Sequence, residues 1–111
     1  MTVVGPAKRV RIYVSEGMKV GHRSAAIALV QLLRDEGAHG ATVFRGNAGF
    51  GPAGHLHVSH LVDVAQDLPI LVEWVDVPEV VERLLPRVLE LVPRGLVTVD
   101  ATEIVHSSAG R

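Results

Sequence analysis

The sequence predicts an α+β fold of ferredoxin-like type, a βαββαβ sandwich with a four-stranded antiparallel sheet and two helices on one face. Three observations predict it. Segments with an apolar residue at every second position alternate with two segments whose apolar residues recur every three or four. The order along the chain is strand, helix, strand, strand, helix, strand. Gly and Pro punctuate the boundaries where turns are required.

Each element has its own signal. Residues 1–8 read as a lead-in. Arg9–Ser15 alternates polar and apolar, with Val10, Ile12 and Val14 on one face, as a half-buried strand does. Glu16–Gly21, with two glycines, is a turn. From His22 to Glu36, Ala26, Leu29, Val30 and Leu33 line one face of a helix. Gly37 follows its last turn, where a left-handed residue closes the helix at least cost. Ala41–Phe44 is a short second strand. Pro69–Val75 is the third, with Ile70, Val72 and Trp74 on one side and Leu71, Glu73 and Val75 on the other. Pro69 belongs at its start because it has no N–H for the ladder.

Asp76 is the expected cap of the next helix, with Pro78 in the first turn. Val81, Leu84, Leu85, Val88 and Val92 form its buried face. Pro86 removes one backbone bond at a cost of about 3 kcal/mol in a straight helix, which predicts a kink or a break. Gly95 ends the segment, and Leu96–Val105 is a last strand region, read as two short strands divided near Ala101. Helices on one side leave the other sheet face, with Leu71 and Val75, uncovered. That face implies a partner surface, most simply another copy of the chain.

Composition narrows the function. The chain has 111 residues, one domain's worth, and is 48% hydrophobic with only four aromatic residues, so its core is aliphatic. A net charge of −1 supplies no general field for nucleic acid. The absence of Cys excludes disulfides and thiolate chemistry and fits a cytoplasmic protein. No signal-peptide layout opens the sequence, and no apolar run approaches the roughly 18 residues that would insert in a membrane.

The candidate chemistry lies in and around a long loop, Gly46 to Asp67. Gly46, Gly49, Gly51 and Gly54 fall within nine residues, so backbone N–H groups can approach an anion, and Arg45 can clamp a phosphate. The plainer reading is that the glycines permit tight turns. His55 and His57 share a face of an extended segment, and one helical turn brings His60 beside them. With Asp63 or Asp67 these imidazoles form a candidate divalent metal site; the alternative is hydrogen bonding within the loop. Glu73, mid-strand, can accept from a ligand, pair with Arg45, or bridge to Arg9 or Arg11 on a neighbouring strand. No nucleophile and base stand out as a catalytic pair, so no enzyme activity is expected.

The segments Gly40-Ala41-Thr42-Val43-Phe44-Arg45-Gly46 and Gly49-Phe50-Gly51, with His55, His57, Asp67-Leu68-Pro69-Ile70 and Val72-Glu73-Trp74-Val75-Asp76, together resemble a domain-of-unknown-function family, number one hundred and ninety, of bacteria and archaea. The resemblance runs from about Arg11 to Val105. That family looks like a branch of the PII signalling superfamily. The resemblance implies a homotrimer with sheets packed inward and a small-molecule effector, an adenine nucleotide, held in clefts between subunits. It implies no required cofactor. It also places the functional loop of PII proteins at Gly46–Asp67, where it contacts a partner such as a membrane transporter or channel. The ligand-binding residues implied or suggested are Arg45, Gly46, Gly49, Phe50, Gly51, His55, His57, Glu73 and Arg94.

Two departures matter. The Gly- and Lys-rich phosphate loop of PII proteins is reduced here to Leu91-Val92-Pro93-Arg94-Gly95-Leu96, which favours AMP or ADP over a triphosphate. The loop Tyr that is uridylylated in PII proteins is absent, since Tyr13 in the first strand is the only Tyr. The second functional reading is a metal-binding trimer that uses His55, His57 and His60.

Overall fold

The computed structural model describes residues 3–58 and 67–108. Four long elements build the sheet: β1 (Gly5–Ser15), β4 (Thr42–Arg45), β7 (Pro69–Asp76) and β8 (Leu96–Ile104). They run in the spatial order β4-β7-β1-β8, every pair antiparallel. Helices α1 (Ala25–Asp35) and α2 (Pro78–Leu91) cover one face. Two short hairpins complete the described chain: β2 (Lys19–Val20) with β3 (Arg23–Ser24), and β5 (Ala48–Gly49) with β6 (His57–Val58). This is the ferredoxin-like sandwich that the periodicities predict.

The core lies between sheet and helices. Val10, Ile12, Val72, Trp74, Leu29, Leu33, Leu84 and Val88 are almost completely buried there. At about 25 cal/mol per Å² of apolar surface, such aliphatic burial is the main stabilising term. Ser24 caps α1, its hydroxyl accepting from the Ile27 N–H at 3.3 Å. Gly37 follows with φ +88°, the left-handed residue expected there.

Several boundaries differ from the expectation. The lead-in is strand from Gly5 onward, because β8 is one unbroken strand whose Ala101–Ile104 half pairs with Gly5–Lys8. The α1 helix starts at Ala25 rather than His22, because Arg23–Ser24 turns back to pair with Lys19–Val20. Asp76 does not cap α2. Val77 holds that position without a side-chain bond, and Asp76 is the last, fully buried residue of β7. The α2 helix continues through Pro86 without a break. Pro86 and Glu82, whose carbonyl loses its partner, are both exposed, so water can satisfy that oxygen.

The open face of the sheet is organised in rows across the strands. Leu96, Tyr13, Leu71 and Phe44 stand in register as one apolar row. The next row is Thr98, Arg11, Glu73 and Thr42, with Arg11 Nε 3.1 Å from Glu73 Oε2. In the third, Arg9 meets Asp100 through Nη2 at 2.5 Å and Nε at 3.2 Å. The hydrogen bond from Arg9, reinforced by its charge, holds the Asp100 carboxyl below the usual carboxylate range. A depressed folded-state value means that the pair stabilises the fold above the ordinary carboxylate value, and that this is lost as pH falls through the depressed one. Arg9→Ala should therefore move the Asp100 titration, followed by carboxyl carbon shifts in NMR, up towards the ordinary value. An unmoved midpoint would show that Arg9 is not the cause.

Candidate functional site

One end of the sheet gathers most of the polar chemistry. Here β1 runs out into Glu16 and Gly17, and Asp67 leads into β7 through Leu68. Two bonds tie these segments: Glu16 N–H to the Leu68 carbonyl at 2.9 Å, and Gly17 N–H to Asp67 Oδ1 at 2.7 Å. Next to them the β2–β3 hairpin and the turn after α2 enclose a cleft of about 550 Å³. Gly17, Met18, Lys19, Asp67, Val92 and Arg94 are among its lining residues. Two cations thus stand beside a partly apolar cavity, against one lining carboxylate, Asp67, whose Oδ1 accepts from the Gly17 N–H. Gly95 allows the turn to approach closely, since a Cβ there would lie 3.1 Å from the Tyr13 carbonyl.

The base of the long loop adjoins this end. Arg45, the last residue of β4, is 2.5 Å from Glu16 Oε2. Gly46 donates its N–H to the Pro69 carbonyl at 2.8 Å. A Cβ on Gly46 or Gly49 would stand 2.7 or 2.9 Å from Pro69 Cγ. These two glycines therefore let the loop fold flat on a rigid proline ring, and neither has a positive φ. His57 lies opposite Gly49 in the β5–β6 pair, and its Nδ1 is buried without a hydrogen-bond partner among the described residues.

The remaining predicted residues are dispersed. Phe50 is 73% exposed, and Gly51 and His55 are also on the surface. Glu73 takes the Arg11 bridge rather than Arg45 and sits on the open face. Arg94 joins Lys19 in the cleft, apart from the glycines. His60 and Asp63 lie outside the described residues; among those described, no three His, Asp or Glu side chains converge as metal ligands. No described helix is long and apolar enough to cross a membrane.

Sequence reading missed two groups. Lys19 was hidden in a turn, where only its position between Gly17 and Gly21 hinted at a cavity wall. His39 and Asp76 form the other. Asp76 accepts from the His39 N–H at 2.9 Å, Trp74 Nε1 at 2.9 Å and the Val77 N–H at 3.0 Å, and His39 Nδ1 is 2.7 Å from its Oδ1. His39 faces a second pocket of about 370 Å³, with Gly40, Ala41, Thr42, Glu73 and Val75.

Comparison with known proteins places this geometry. The pattern of the DUF190 family, described as "Uncharacterized ACR", matches residues 7–104. A UPF0166 protein of Methanocaldococcus jannaschii is 32% identical over 94 residues, spanning 84% of this chain and 86% of its own. Among solved structures, CPII, a nitrogen regulatory PII-like protein from Thiomonas intermedia K12 bound to ADP, AMP and bicarbonate, superposes with a TM-score of 0.65. It is 23% identical, and the match covers 92% of this chain and 91% of that one. A PII-like signalling candidate from Thermus thermophilus gives a TM-score of 0.63 at 24% identity, covering 92% of each chain. At these identities the likeness establishes the fold. The long family match and the archaeal relative establish the rest: the chain belongs to the DUF190 family and has the fold of the PII-like proteins.

Proposed function

We propose that this protein is a non-enzymatic PII-like sensor that binds an adenine nucleotide, ADP or AMP, and signals through its 46–67 segment. The observation that carries this reading is the cleft flanked by Lys19 and Arg94. A chain of net charge −1 has no general attraction for anions, so two cations at the mouth of a half-apolar cavity make a local preference for a phosphorylated ligand. Arg94 can hold phosphate oxygens bidentately, and Lys19 adds a point charge. That the similarly folded CPII is bound to ADP and AMP supports this ligand class.

The protein would act as a homotrimer in the cytoplasm. Its apolar row of Leu96, Tyr13, Leu71 and Phe44 is the surface a second and third copy would cover, which sets the clefts between copies. The exposed Phe50 gives the loop an aromatic contact for a protein partner, such as a transporter or channel.

Isothermal titration with AMP, ADP and ATP tests the proposal. We expect ADP or AMP to bind, and Lys19→Ala with Arg94→Ala to weaken that binding by at least about a hundredfold, about tenfold for each lost charged contact. Heat from none of the three nucleotides would remove the reading. So would a double variant that binds as the parent does.

A further inference from the structure

The β5–β6 hairpin is laid back onto the open face of the sheet. Pro69, Leu71 and Glu73 alternate with the core-facing Ile70, Val72 and Trp74, so the Pro69 ring stands on that open face, beside the apolar row. Gly46 follows Phe44 in the same phase, and a Cβ on Gly46 or Gly49 would press on Pro69 Cγ at 2.7 or 2.9 Å. The hairpin therefore sits on Pro69 through Gly49. Beyond the paired Gly49 and His57, its two arms carry Phe50 and Leu56. The alternation of an extended chain turns these away from Pro69, and they are 73% and 65% exposed. Each copy thus holds two large apolar side chains above the face through which copies would meet.

Composition, area and position together indicate what covers them. Residues 46–58 contain no Asp, Glu, Lys or Arg, in a chain that is 21% charged. That is the make-up of an interface centre, and it lacks the cations that a lipid headgroup surface attracts. At about 200 Å² for a large side chain, Leu96, Phe44 and Tyr13 leave about 300 Å² exposed. A standard interface takes about 800 Å² from each partner, a little over half of it apolar, so the row alone falls short. Phe50 and Leu56 add nearly as much again and carry the apolar area past that mark. Both are mounted over Pro69 at the border of the row, so one approaching copy covers row and hairpin together.

We propose that Phe50 and Leu56 are covered by an adjacent copy of the chain, which makes the β5–β6 hairpin a clamp on the assembly. The inference rests on the homotrimeric, loop-signalling reading and deepens it, because the aromatic contact offered to another protein is masked at rest. A protein partner gains Phe50 only by displacing the adjacent copy. Partner binding and tight assembly therefore oppose each other, each weakening the other by the same factor.

Sedimentation equilibrium of the full chain over a dilution series tests this. Phe50→Ala with Leu56→Ala should need at least about a tenfold higher concentration than the parent to be half assembled, the loss expected from two covered apolar side chains. Both residues are exposed in the single chain, so the circular dichroism of the double variant should not change. A second readout leaves both side chains in place. The chain has no Cys, and Gly51 is exposed, without a positive φ and with open space where a Cβ would stand. The thiol of Gly51→Cys should lose reactivity towards excess maleimide as copies assemble. A parent that stays monomeric at every concentration would remove the trimer reading and the inference together. A double variant that assembles as an assembling parent does would overturn the inference alone, and so would a thiol whose reactivity assembly does not change. In that event, flotation with phosphatidylserine vesicles by the parent and not by the double variant would give the patch to a lipid surface. Equal flotation would leave it to another protein.

Discussion

Asp76→Ala is expected to lower the unfolding free energy by about 3–5 kcal/mol, the range for removing one partner of a buried, charged network. The carboxylate is fully buried and gathers the His39 and Val77 N–H groups, the Trp74 indole and the His39 ring. Alanine leaves three certain donors without acceptors, two of them on backbone that joins β7 to α2 and α1 to β4. Domains of this size are stable by about 5–15 kcal/mol, so the loss is a large fraction of the whole. Asp76→Asn, with one oxygen in place of two, should fall between alanine and the parent. Urea denaturation at fixed protein concentration measures both, the fixed concentration being needed for an assembly. A variant within about 0.5 kcal/mol of the parent, the usual range of surface substitutions, would show that the network does not hold this junction.

The same residue shows how far a sequence can be read. A conventional rule placed Asp76 at the start of α2, since Asp often caps a helix and Pro78 follows. The period-two pattern carried the better signal: Ile70, Val72 and Trp74 face the core, and two residues on from Trp74 is Asp76, which keeps the buried phase. Four donors from three segments make that burial tolerable, and those donors are visible only in three dimensions. Strands, helices and their order were legible because their periodicities are local. The first strand's extra residues were not, because Gly5–Lys8 are strand only by virtue of Ala101–Ile104. At the site the limits were similar. Arg94 is legible only through the family resemblance, as the remnant of the phosphate loop, and Lys19 reaches the cleft through a short hairpin with no periodic signature. Gly46 and Gly49 read either as anion-binding glycines or as turn glycines; the structure shows why glycine is needed there, against a proline some twenty residues later in the chain.

Leu71→Glu should convert the proposed homotrimer into a folded monomer, with sedimentation falling from three times the 11.9 kDa chain mass to one. Leu71 stands at the centre of the apolar row, between Tyr13 and Phe44 in register. Leu96, Phe44 and Tyr13 in that row are 62%, 48% and 39% exposed in the single chain, surface that a stable interface would have to cover. Leu71 is itself only partly buried, so in a monomer the new carboxylate reaches water and the core behind the sheet is untouched. In the trimer three carboxylates would be buried together around the axis, at several kcal/mol per unpaired charge. Leu89→Glu, at a more exposed position on the outer side of α2, should leave the mass unchanged. Because the effector clefts are proposed to form between copies, the Leu71 variant should also lose ADP binding while keeping its circular dichroism. A variant that still sediments as the parent does would mean that copies meet through another surface. A monomer that binds ADP with unchanged affinity would place the whole nucleotide site within one chain.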